Sequence, residues 1–369
     1  MTVVLNGVTL AEGVDYNVYY YDNVEVGTAT VEVEGEGDYT GLATVTFRIV
    51  EGDLDGVTMV ELYGSNRYDT MVEIAQEAFA DTGSTYAVLA TGTNFPDALA
   101  AASLAGVLDA PIILVSDAKA DVAIDAMLDL GVEQAYIVGG TSAVGLSVQR
   151  QVQAAGIEIA GRLAGSNRQG TALAIAQEVQ ELCGDETSDT CIVAAGGNFP
   201  DALSGSPYAY WSGSPIYLAK TDGSLSADVP AAIEAAGYER IIVLGGTSAV
   251  SAEAWQELYA IGDVDVRRVA GDTRYETSAA FAEWAVDEGM SYDGLAIATG
   301  TNFPDALAGS ALCGRAGSVL LLAASTLAKS GDMLEAVDDN AGLIDTIYVI
   351  GGTSAVPQDI RDAVLALFE

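Results

Sequence analysis

The sequence TGTNFPDALA, residues 91–100, recurs as AGGNFPDALS at 195–204 and as TGTNFPDALA at 299–308. The three copies start 104 residues apart. A proline suits the first position of a helix, and an aspartate suits its first turn, where the helix dipole favours a carboxylate. Each copy therefore predicts a structural corner between a strand and a helix, formed by Asn94, Asp97, Asn198, Asp201, Asn302 and Asp305.

Two further motifs repeat in the same order and at nearly the same period. GSNRYDT begins at Gly64, and its counterparts GSNRQGT and GDTRYET begin at Gly165 and Gly271. GGTSAV recurs at steps of 106 residues. Its glycines permit a tight turn whose N–H groups point into a concavity, and they are Gly139, Gly140, Gly245, Gly246, Gly351 and Gly352. Three motifs on one period of about a hundred residues indicate three copies of one module.

The motifs also predict helix caps. After GGTSAV in the first copy, either Thr141 or Ser142 is expected to cap the next helix, and in the second GxxR segment either Ser166 or Asn167 takes that role. Short side-chain oxygens at these positions accept hydrogen bonds from the free N–H groups of the first helical turn.

Within each copy, short apolar runs alternate with helical patterns, which is typical of β-α units around a buried parallel sheet. We therefore predict an α/β fold of three small doubly wound modules in a pseudo-threefold arrangement. The pattern is cyclic, so a module boundary falls either before or after the GxxR segment. We divide the chain into modules at 55–158, 159–264 and 265–369.

Residues 1–52 have a different pattern. TATVEVEGEGDYTGLATVTFRIV alternates apolar and polar residues at period two around glycine-rich turns. This alternation predicts a small antiparallel β unit with one solvated face.

The composition excludes several classes of function. A formal net charge of −39 opposes binding to nucleic acid, and no apolar run reaches the length of a membrane-spanning helix, so we expect neither nucleic acid binding nor membrane insertion. The chain contains no histidine, which argues against a conventional zinc amidase or a Ser-His-Asp hydrolase.

The scarce cations are placed non-randomly. Six of the eleven arginines lie in or just before the GxxR segments, namely Arg67, Arg162, Arg168, Arg267, Arg268 and Arg274. The lysines lie one per copy in the loop after the second strand, at Lys119, Lys220 and Lys329. Both sets are expected at the carboxyl edges of the sheets, where they either bind an anionic ligand or, for Arg67, Arg168 and Arg274, join modules as Arg–carboxylate forks.

The combination of GxxRYxT, TGxNFPDAL, PIILV and GGTSAV in three tandem copies resembles the cell wall binding repeat type 2 family over about 310 residues. The resemblance implies a non-enzymatic anchor, secreted to the surface of a Gram-positive bacterium, whose three modules form a trimer-like monomer that binds an anionic wall polymer. Segments EGVDYNVYYYDN and GEGDYTGLATVTF are similar to bacterial Ig-like repeats, and this resemblance implies that residues 1–52 are a partial Ig-like unit.

The three copies depart from the family pattern at a few positions. These are Glu61, where the other copies have Arg162 and Arg268, and, in the later copies, Gln169, Gly170, Ala195, Gly197 and Val319. The sites are therefore not expected to be equivalent.

Because the chain is so acidic, it can bind an anionic polymer only if local charges offset the repulsion. These are either the Arg and Lys side chains at the carboxyl edges of the sheets or bridging Ca²⁺ or Mg²⁺ ions; no protein metal site and no other cofactor is predicted.

An oxidising compartment permits disulfides. The second copy has a slightly longer loop bracketed by Cys183 and Cys191, and we predict a disulfide between them; Cys313 aligns with Ala105 and Ala209 and is predicted to be buried.

The alternative function is a metal-dependent α/β enzyme acting on a sugar or phosphorylated wall substrate through Asp97, Asp201 and Asp305. No second carboxylate recurs near these residues in all three copies.

Overall fold

The computed structural model describes residues 4–5, 8–11, 13–21, 27–37, 39–49, 57–94 and 97–368. The chain divides into two compact units, Met1–Gly56 and Val57–Glu369. No helix among the described residues combines the length and apolar composition needed to cross a lipid bilayer.

The first unit is antiparallel, as predicted. Its strands are β1 (Val4–Leu5), β2 (Val8–Thr9), β3 (Tyr16–Tyr21), β4 (Gly27–Gly35) and β5 (Leu42–Ile49). Strands β1 and β2 pair with each other, and the other three form a sheet in the order β3-β4-β5. Val18 of β3 lies opposite Val33 of β4.

The second unit is built from parallel strands and helices. The strands are β6 (Thr58–Leu62), β7 (Tyr86–Thr91), β8 (Ile112–Val115), β9 (Gln134–Val138), β10 (Glu158–Leu163), β11 (Thr190–Ala195), β12 (Ile216–Ala219), β13 (Arg240–Leu244), β14 (Asp265–Val269), β15 (Ser291–Thr299), β16 (Ser318–Ala323) and β17 (Thr346–Ile350). The helices are α1 (Arg67–Phe79), α2 (Ala101–Val107), α3 (Ala120–Asp129), α4 (Leu146–Ala154), α5 (Arg168–Cys183), α6 (Pro200–Ser212), α7 (Asp228–Ala236), α8 (Ala252–Tyr259), α9 (Arg274–Asp287), α10 (Pro304–Ala316), α11 (Gly331–Asp339) and α12 (Gln358–Leu365).

The parallel strands form three four-stranded sheets, which confirms the predicted fold class. Their orders are β10-β9-β7-β8, β12-β11-β13-β14 and β16-β15-β17-β6. The third sheet is completed by β6, the first strand of the unit, so that Val60 lies opposite Tyr348. The two ends of the repeat region are therefore joined by strand pairing, and the three modules close into a ring.

This pairing bears on the division of the chain into modules. Strands β10 and β14 begin at or near the predicted boundaries at 158/159 and 264/265, yet each pairs with the sheet that precedes it. We retain the boundaries as a proposal about sequence repeats. Each sheet contains the strand that immediately precedes a GxxR segment.

In the second sheet, β11, β12 and β13 are buried on both faces, which explains their continuous apolar sequences, whereas the edge strand β14 is partly exposed. In β11, Ile192 and Ala194 face one core together with Leu203 of α6. Cys191 and Val193 face a second core that also contains residues of α7 and α8. Helices thus cover both sides of the second sheet.

The helices that follow NFPD meet one another at the pseudo-threefold centre, where α2, α6 and α10 pack pairwise. One position in these helices, at 104-residue spacing, is occupied by Gly106, Tyr210 and Gly314. Tyr210 is buried, and a Cβ added to either glycine would overlap it. Gly106 lies against the backbone of Tyr210 and Gly314 lies against its side chain, so the close packing of the central helices requires glycine at both positions.

The predicted disulfide is wrong: Cys183, Cys191 and Cys313 are all free thiols. The physical reason is that Cys191 is fully buried in the core shared with α7 and α8, whereas Cys183 packs against the other core. Burial raises the pKa of the Cys191 thiol. Cys313 is fully buried in α10, as its alignment with alanines predicted.

Candidate functional site: clefts at the carboxyl edges of the sheets

The GxxR segments begin α1, α5 and α9 with a side-chain cap. Asn66 accepts from the N–H of Tyr68 at 3.0 Å, Asn167 from that of Gly170 at 2.9 Å, and Thr273 from that of Glu276 at 3.1 Å. Of the two candidates in the second copy, the cap is therefore Asn167.

The conserved spacing from glycine to threonine within this motif also has a physical cause. The N–H of Gly64 donates to the hydroxyl of Thr70 at 3.0 Å, and the equivalent bonds are Gly165 to Thr171 at 3.1 Å and Gly271 to Thr277 at 3.0 Å. The bond folds the segment back on the first turn of the helix. Sequence reasoning missed this role of the threonine, although its recurrence six residues after the glycine was visible.

Two of the three arginines in the GxxR segments, Arg67 and Arg274, contact a neighbouring module. Arg67 donates to the carbonyl of Gly92 at 2.7 Å and lies over the ring of Phe303, with 5.8 Å to its centroid. Arg274 donates to the carbonyl of Gly300 at 2.7 Å and lies over the ring of Phe199, with 5.9 Å to its centroid.

In the second copy, Arg168 donates to the carbonyl of Gly196, at the end of β11. Among the described ion pairs none involves Arg67 or Arg274, so the predicted carboxylate forks are replaced there by carbonyl and ring contacts. These contacts place both arginines between modules. Whether they also bind a ligand stays a prediction.

A second set of guanidinium groups holds the GGTSAV turns. Arg162 donates to the carbonyls of Gly139 at 2.9 Å and Val144 at 3.0 Å. Arg268 makes the equivalent bonds to Gly245 at 2.6 Å and Val250 at 3.0 Å. The guanidinium groups of both arginines are therefore engaged in hydrogen bonds within the protein.

In the third sheet the arginine comes from a helix. Glu61 of β6 occupies the strand position, and Arg361 of α12 reaches the carbonyls of Gly351 at 2.6 Å and Val356 at 2.9 Å. Arg361 also pairs with Glu61. The departure at Glu61 therefore does not remove a cation from this module, because Arg361 supplies one.

The first glycine of each GGTSAV turn has a positive φ, of 98° at Gly139, 97° at Gly245 and 99° at Gly351. A Cβ there would also meet the aspartate of NFPD, for example at 2.7 Å from Oδ2 of Asp305. Glycine is thus required twice, by conformation and by close approach. The second glycines, Gly140, Gly246 and Gly352, have no such close neighbour.

The predicted cap after this turn is wrong in the first copy. Helix α4 begins at Leu146, its N-cap is Gly145, and no side chain caps it. Thr141 and Ser142 lie in the turn itself, and the N–H groups of Ala143 and Val144 donate to the carbonyl of Gly140. The backbone of the turn therefore supplies the hydrogen bonds that we assigned to a side chain.

The NFPD corner is described in full for the second and third copies. Pro200 and Pro304 are the first residues of α6 and α10, as the motif predicted. In the first copy Phe95 and Pro96 lie outside the described residues, and Asp97 precedes a short 3₁₀ turn before α2.

Two equivalent clefts open at these corners. The cleft of the second sheet measures about 200 Å³ and is lined by Ala195, Gly197, Asn198, Asp201, Lys220, Thr221, Ser248 and Ala249. The cleft of the third sheet measures about 290 Å³, and its polar lining includes Asn66, Arg67, Thr299, Thr301, Asn302, Asp305 and Ser354. Both clefts bring together an NFPD motif and a GGTSAV turn, as expected at the carboxyl edge of parallel strands.

The copies differ in the hydroxyl groups near this edge. Thr299 and Thr301 hydrogen-bond to each other at 2.8 Å, as Thr91 and Thr93 do at 2.9 Å in the first copy. In the second copy Ala195 and Gly197 replace this pair, and Thr221 lies against the cleft instead. The sites are therefore chemically similar but not identical.

Each cleft holds one carboxyl group with a perturbed pKa. Burial raises the pKa of Asp201 to about 6, although Arg274 opposes the shift. Burial likewise raises the pKa of Asp305 to about 6, opposed by Arg67. Each aspartate therefore interacts electrostatically with an arginine, but the two groups do not form an ion pair.

The lysines are not equivalent. Lys220 immediately follows β12 and lines the cleft of the second sheet. Lys119 and Lys329 end short 3₁₀ turns after β8 and β16 and line neither of the two clefts. Their common place in the sequence therefore did not predict a common place in the structure.

Among the described residues, no three or more cysteine, aspartate or glutamate side chains are grouped so as to hold a metal ion. The lining of each cleft includes a single carboxyl group, Asp201 or Asp305. This donor set does not fit a resident divalent ion, which takes several oxygen ligands from the protein.

The fold and these clefts define a class of protein: a closed ring of three parallel-sheet modules with repeated polar clefts at the strand ends. The family model of the cell wall binding domain 2 matches residues 61–149, 162–254 and 268–361. The chain belongs to this family. It is therefore a cell wall binding protein with three tandem repeats, as the motifs suggested. The comparisons do not address the resemblance of the first unit to Ig-like repeats.

Two curated relatives come from Bacillus subtilis (strain 168). The chain is 29% identical over 300 residues to the N-acetylmuramoyl-L-alanine amidase LytC, covering 81% of this chain and 56% of that protein. It is 25% identical over 288 residues to the Amidase enhancer, covering 78% of this chain and 37% of that protein. The chain thus spans little more than half of the first relative and less of the second.

Two solved structures share the fold. Cwp6 from Clostridium difficile matches with a TM-score of 0.74 at 20% identity, covering 95% of this chain and 58% of the other. Cwp8 from the same organism matches with a TM-score of 0.71 at 20% identity, covering 96% of this chain and 63% of the other.

Proposed function

We propose that this chain anchors a surface protein non-covalently to the wall of a Gram-positive bacterium by binding an anionic wall polymer, without catalysis. The observation that carries the proposal is the pair of clefts at the carboxyl edges. Each offers amide and hydroxyl groups for a glycan and one cation for an acidic group, Lys220 in the second sheet and Arg67 in the third.

The distribution of charge supports this assignment. At a formal net charge of −39 the chain repels polyanions at long range, so a favourable contact has to be local. Lys220 is exposed, and its ammonium group makes no hydrogen bond or ion pair within the described part of the chain. It is therefore available to an anionic group of a ligand. Bridging Ca²⁺ or Mg²⁺ would offset the remaining repulsion.

The remaining features of the proposal are location and assembly. The family and its wall-associated relatives support a place at the cell surface. Ring closure through β6 and β17 satisfies the outer edge of β17 within one chain, and this supports a monomer with internal pseudo-threefold symmetry. The single carboxyl group in each cleft argues against the alternative of a metal-dependent enzyme.

Reversing one charge tests the proposed site. Lys220→Glu is expected to weaken binding to purified wall sacculi about tenfold, because it removes a charge-assisted contact worth about 1.5 kcal/mol or more. The measurement is co-sedimentation of the protein with sacculi over a range of concentrations.

Lys329→Glu is the matched control. It changes the net charge equally, from an exposed position outside both clefts, and is expected to leave the binding within about twofold of the wild type. Equal losses in the two variants would mean that only overall charge matters, and would contradict a site in the cleft.

A further inference from the structure

Asp201 and Asp305 are unusual among the polar groups of the two clefts. Each is half-buried at the start of a central helix, and its carboxyl group makes no hydrogen bond or ion pair with any part of the chain that the structure describes. Solvent reaches the carboxyl oxygens of both residues, so their capacity to accept hydrogen bonds is open to a ligand in the cleft. The same unpaired group occurs in two modules, with Lys220 and Arg274 near Asp201 and Arg67 near Asp305.

The corner itself does not need this carboxyl group. Helices α6 and α10 have Phe199 and Phe303 at the N-cap, and no side chain caps either helix. Toward the turn, each carboxyl group lies where a Cβ on Gly245 or Gly351 would be, so it fills space there without forming a hydrogen bond. An uncharged side chain of the same size would fill this space equally well.

The surroundings of each carboxyl group point to a polyhydroxylated ligand. Asp201 shares its cleft with Asn198 and Ser248, and Asp305 shares its cleft with Asn302 and Ser354. An ionised carboxylate accepts two or more hydrogen bonds and donates none, whereas a sugar hydroxyl can donate. A phosphate or carboxylate group on a ligand would instead be drawn to Lys220 or Arg67.

We propose that Asp201 and Asp305 bind the wall polymer directly, each accepting hydrogen bonds from hydroxyl groups of one sugar unit while the neighbouring cation holds an acidic group. The inference rests on the proposed function and deepens it. It makes the polymer a glycan with free hydroxyls beside its anionic groups, rather than a bare polyphosphate. It also gives the aspartates of NFPD a role as ligand contacts in addition to their place at the corner.

The groups that face the two carboxyls from the surrounding elements are basic side chains. Lys220 and Arg274 face Asp201, and Arg67 faces Asp305. The two aspartates, whose pKa is about 6, are therefore the groups in the clefts that change charge between pH 5 and pH 7.5. Protonation removes acceptor capacity at the carboxyl.

The test uses Asp201→Asn together with Asp305→Asn in the full chain, with intact wall sacculi as the probe. At pH 7.5 the double variant is expected to bind at least tenfold more weakly than the wild type. At pH 5, where the wild-type aspartates are largely protonated, the difference is expected to shrink to about threefold or less. Asp222→Asn, which removes one carboxylate beside Lys220 but outside the cleft lining, is expected to bind as the wild type does.

A stability measurement separates loss of binding from loss of folding. The folded-state pKa of each aspartate is raised above its unfolded value of 3.8, so ionisation above pH 6 costs folding stability, and the neutral asparagine avoids this cost. The double variant is therefore expected to have a thermal midpoint at pH 7.5 equal to or above that of the wild type. Weaker binding with this midpoint supports the inference.

Unchanged or tighter binding by the double variant would overturn it, because the carboxylates would then merely repel the polymer. Such a result leaves the proposed function intact if Lys220→Glu still weakens binding. If instead the wild-type protein binds equally well to sacculi stripped of the anionic polymer, the proposed function fails, whatever the aspartate variants do.

Discussion

Replacing Arg361 with glutamine is expected to lower the free energy of unfolding by about 3 kcal/mol. The side chain of Arg361 is 1% exposed, and it pairs with Glu61 and with the carbonyls of Gly351 and Val356. Its removal leaves these acceptors without their donor, and the site connects the first strand of the ring to its last helix. Urea unfolding at pH 7, followed by circular dichroism, measures the change.

The chain itself contains the compensating arrangement. In the first sheet the strand residue is Arg162, and it donates to Gln149 on the facing helix at 2.9 Å. Gln149 aligns with Arg361 when the GGTSAV turns are superimposed in sequence. The double variant Glu61→Arg with Arg361→Gln therefore recreates this pair, and it is expected to recover stability to within about 1 kcal/mol of the wild type.

Arg267→Gln is the control, because Arg267 is exposed and its ion-pair partner among the residues that the structure describes is Asp265, which is also exposed. Its effect is expected to stay below about 0.5 kcal/mol. If the double variant were no more stable than Arg361→Gln alone, the two ends of the ring would not be joined by an exchangeable guanidinium, and the proposed equivalence would be wrong.

The second large effect is expected at the pseudo-threefold centre. Gly106→Ala should destabilise the protein by about 3 kcal/mol, because its Cβ would overlap the backbone carbonyl of Tyr210, which cannot rotate away. Gly314→Ala should have a similar effect, since its Cβ would lie 2.8 Å from the carbonyl oxygen of Pro207 and against the side chain of Tyr210. Thermal and urea unfolding of each variant provide the measurement.

The direction of the stability change distinguishes close helix packing from ordinary helix propensity. Replacing a helical glycine with alanine normally stabilises a helix, by up to about 1 kcal/mol. Gly331→Ala, at the start of α11 with open space around its Cα, is the matched control and is expected to change stability by less than about 0.5 kcal/mol. Stabilisation by Gly106→Ala would contradict the close packing of α2 against α6.

Much of the fold could be predicted from the sequence because it depends on local patterns. The spacing of the three motifs gave the number of modules, and the alternation of apolar runs and helical patterns gave parallel sheets. Pro200 and Pro304 marked helix starts correctly, since proline at that position follows from backbone geometry alone.

Other features depend on contacts between distant residues, which a single sequence does not reveal. The repeat pattern is cyclic, so nothing in it showed that β6 pairs with β17. Glu61 looked like the loss of a cation, because its replacement, Arg361, lies 300 residues away. The predicted disulfide failed because loop length does not show that Cys183 and Cys191 face different cores.

Some features of the candidate site could likewise be predicted from the sequence, and others could not. The sequence placed Asn198, Asp201 and Ser248 at strand ends, and the parallel topology brought them together in one cleft. It could not distinguish Lys220, which lines that cleft, from Lys119 and Lys329, because the three loops differ in length and conformation. The arginines that it offered as ligand contacts are largely engaged with backbone carbonyls.

Polymer binding is tested by comparing the affinity of the intact protein for purified sacculi before and after chemical removal of their anionic polymer. Co-sedimentation at neutral pH and near-physiological salt gives the dissociation constant for both preparations. Removal of the polymer is expected to weaken binding at least tenfold, and purified polymer added in solution is expected to compete with native sacculi for the protein. Undiminished binding to the stripped walls would contradict the claim that the clefts bind an anionic wall polymer.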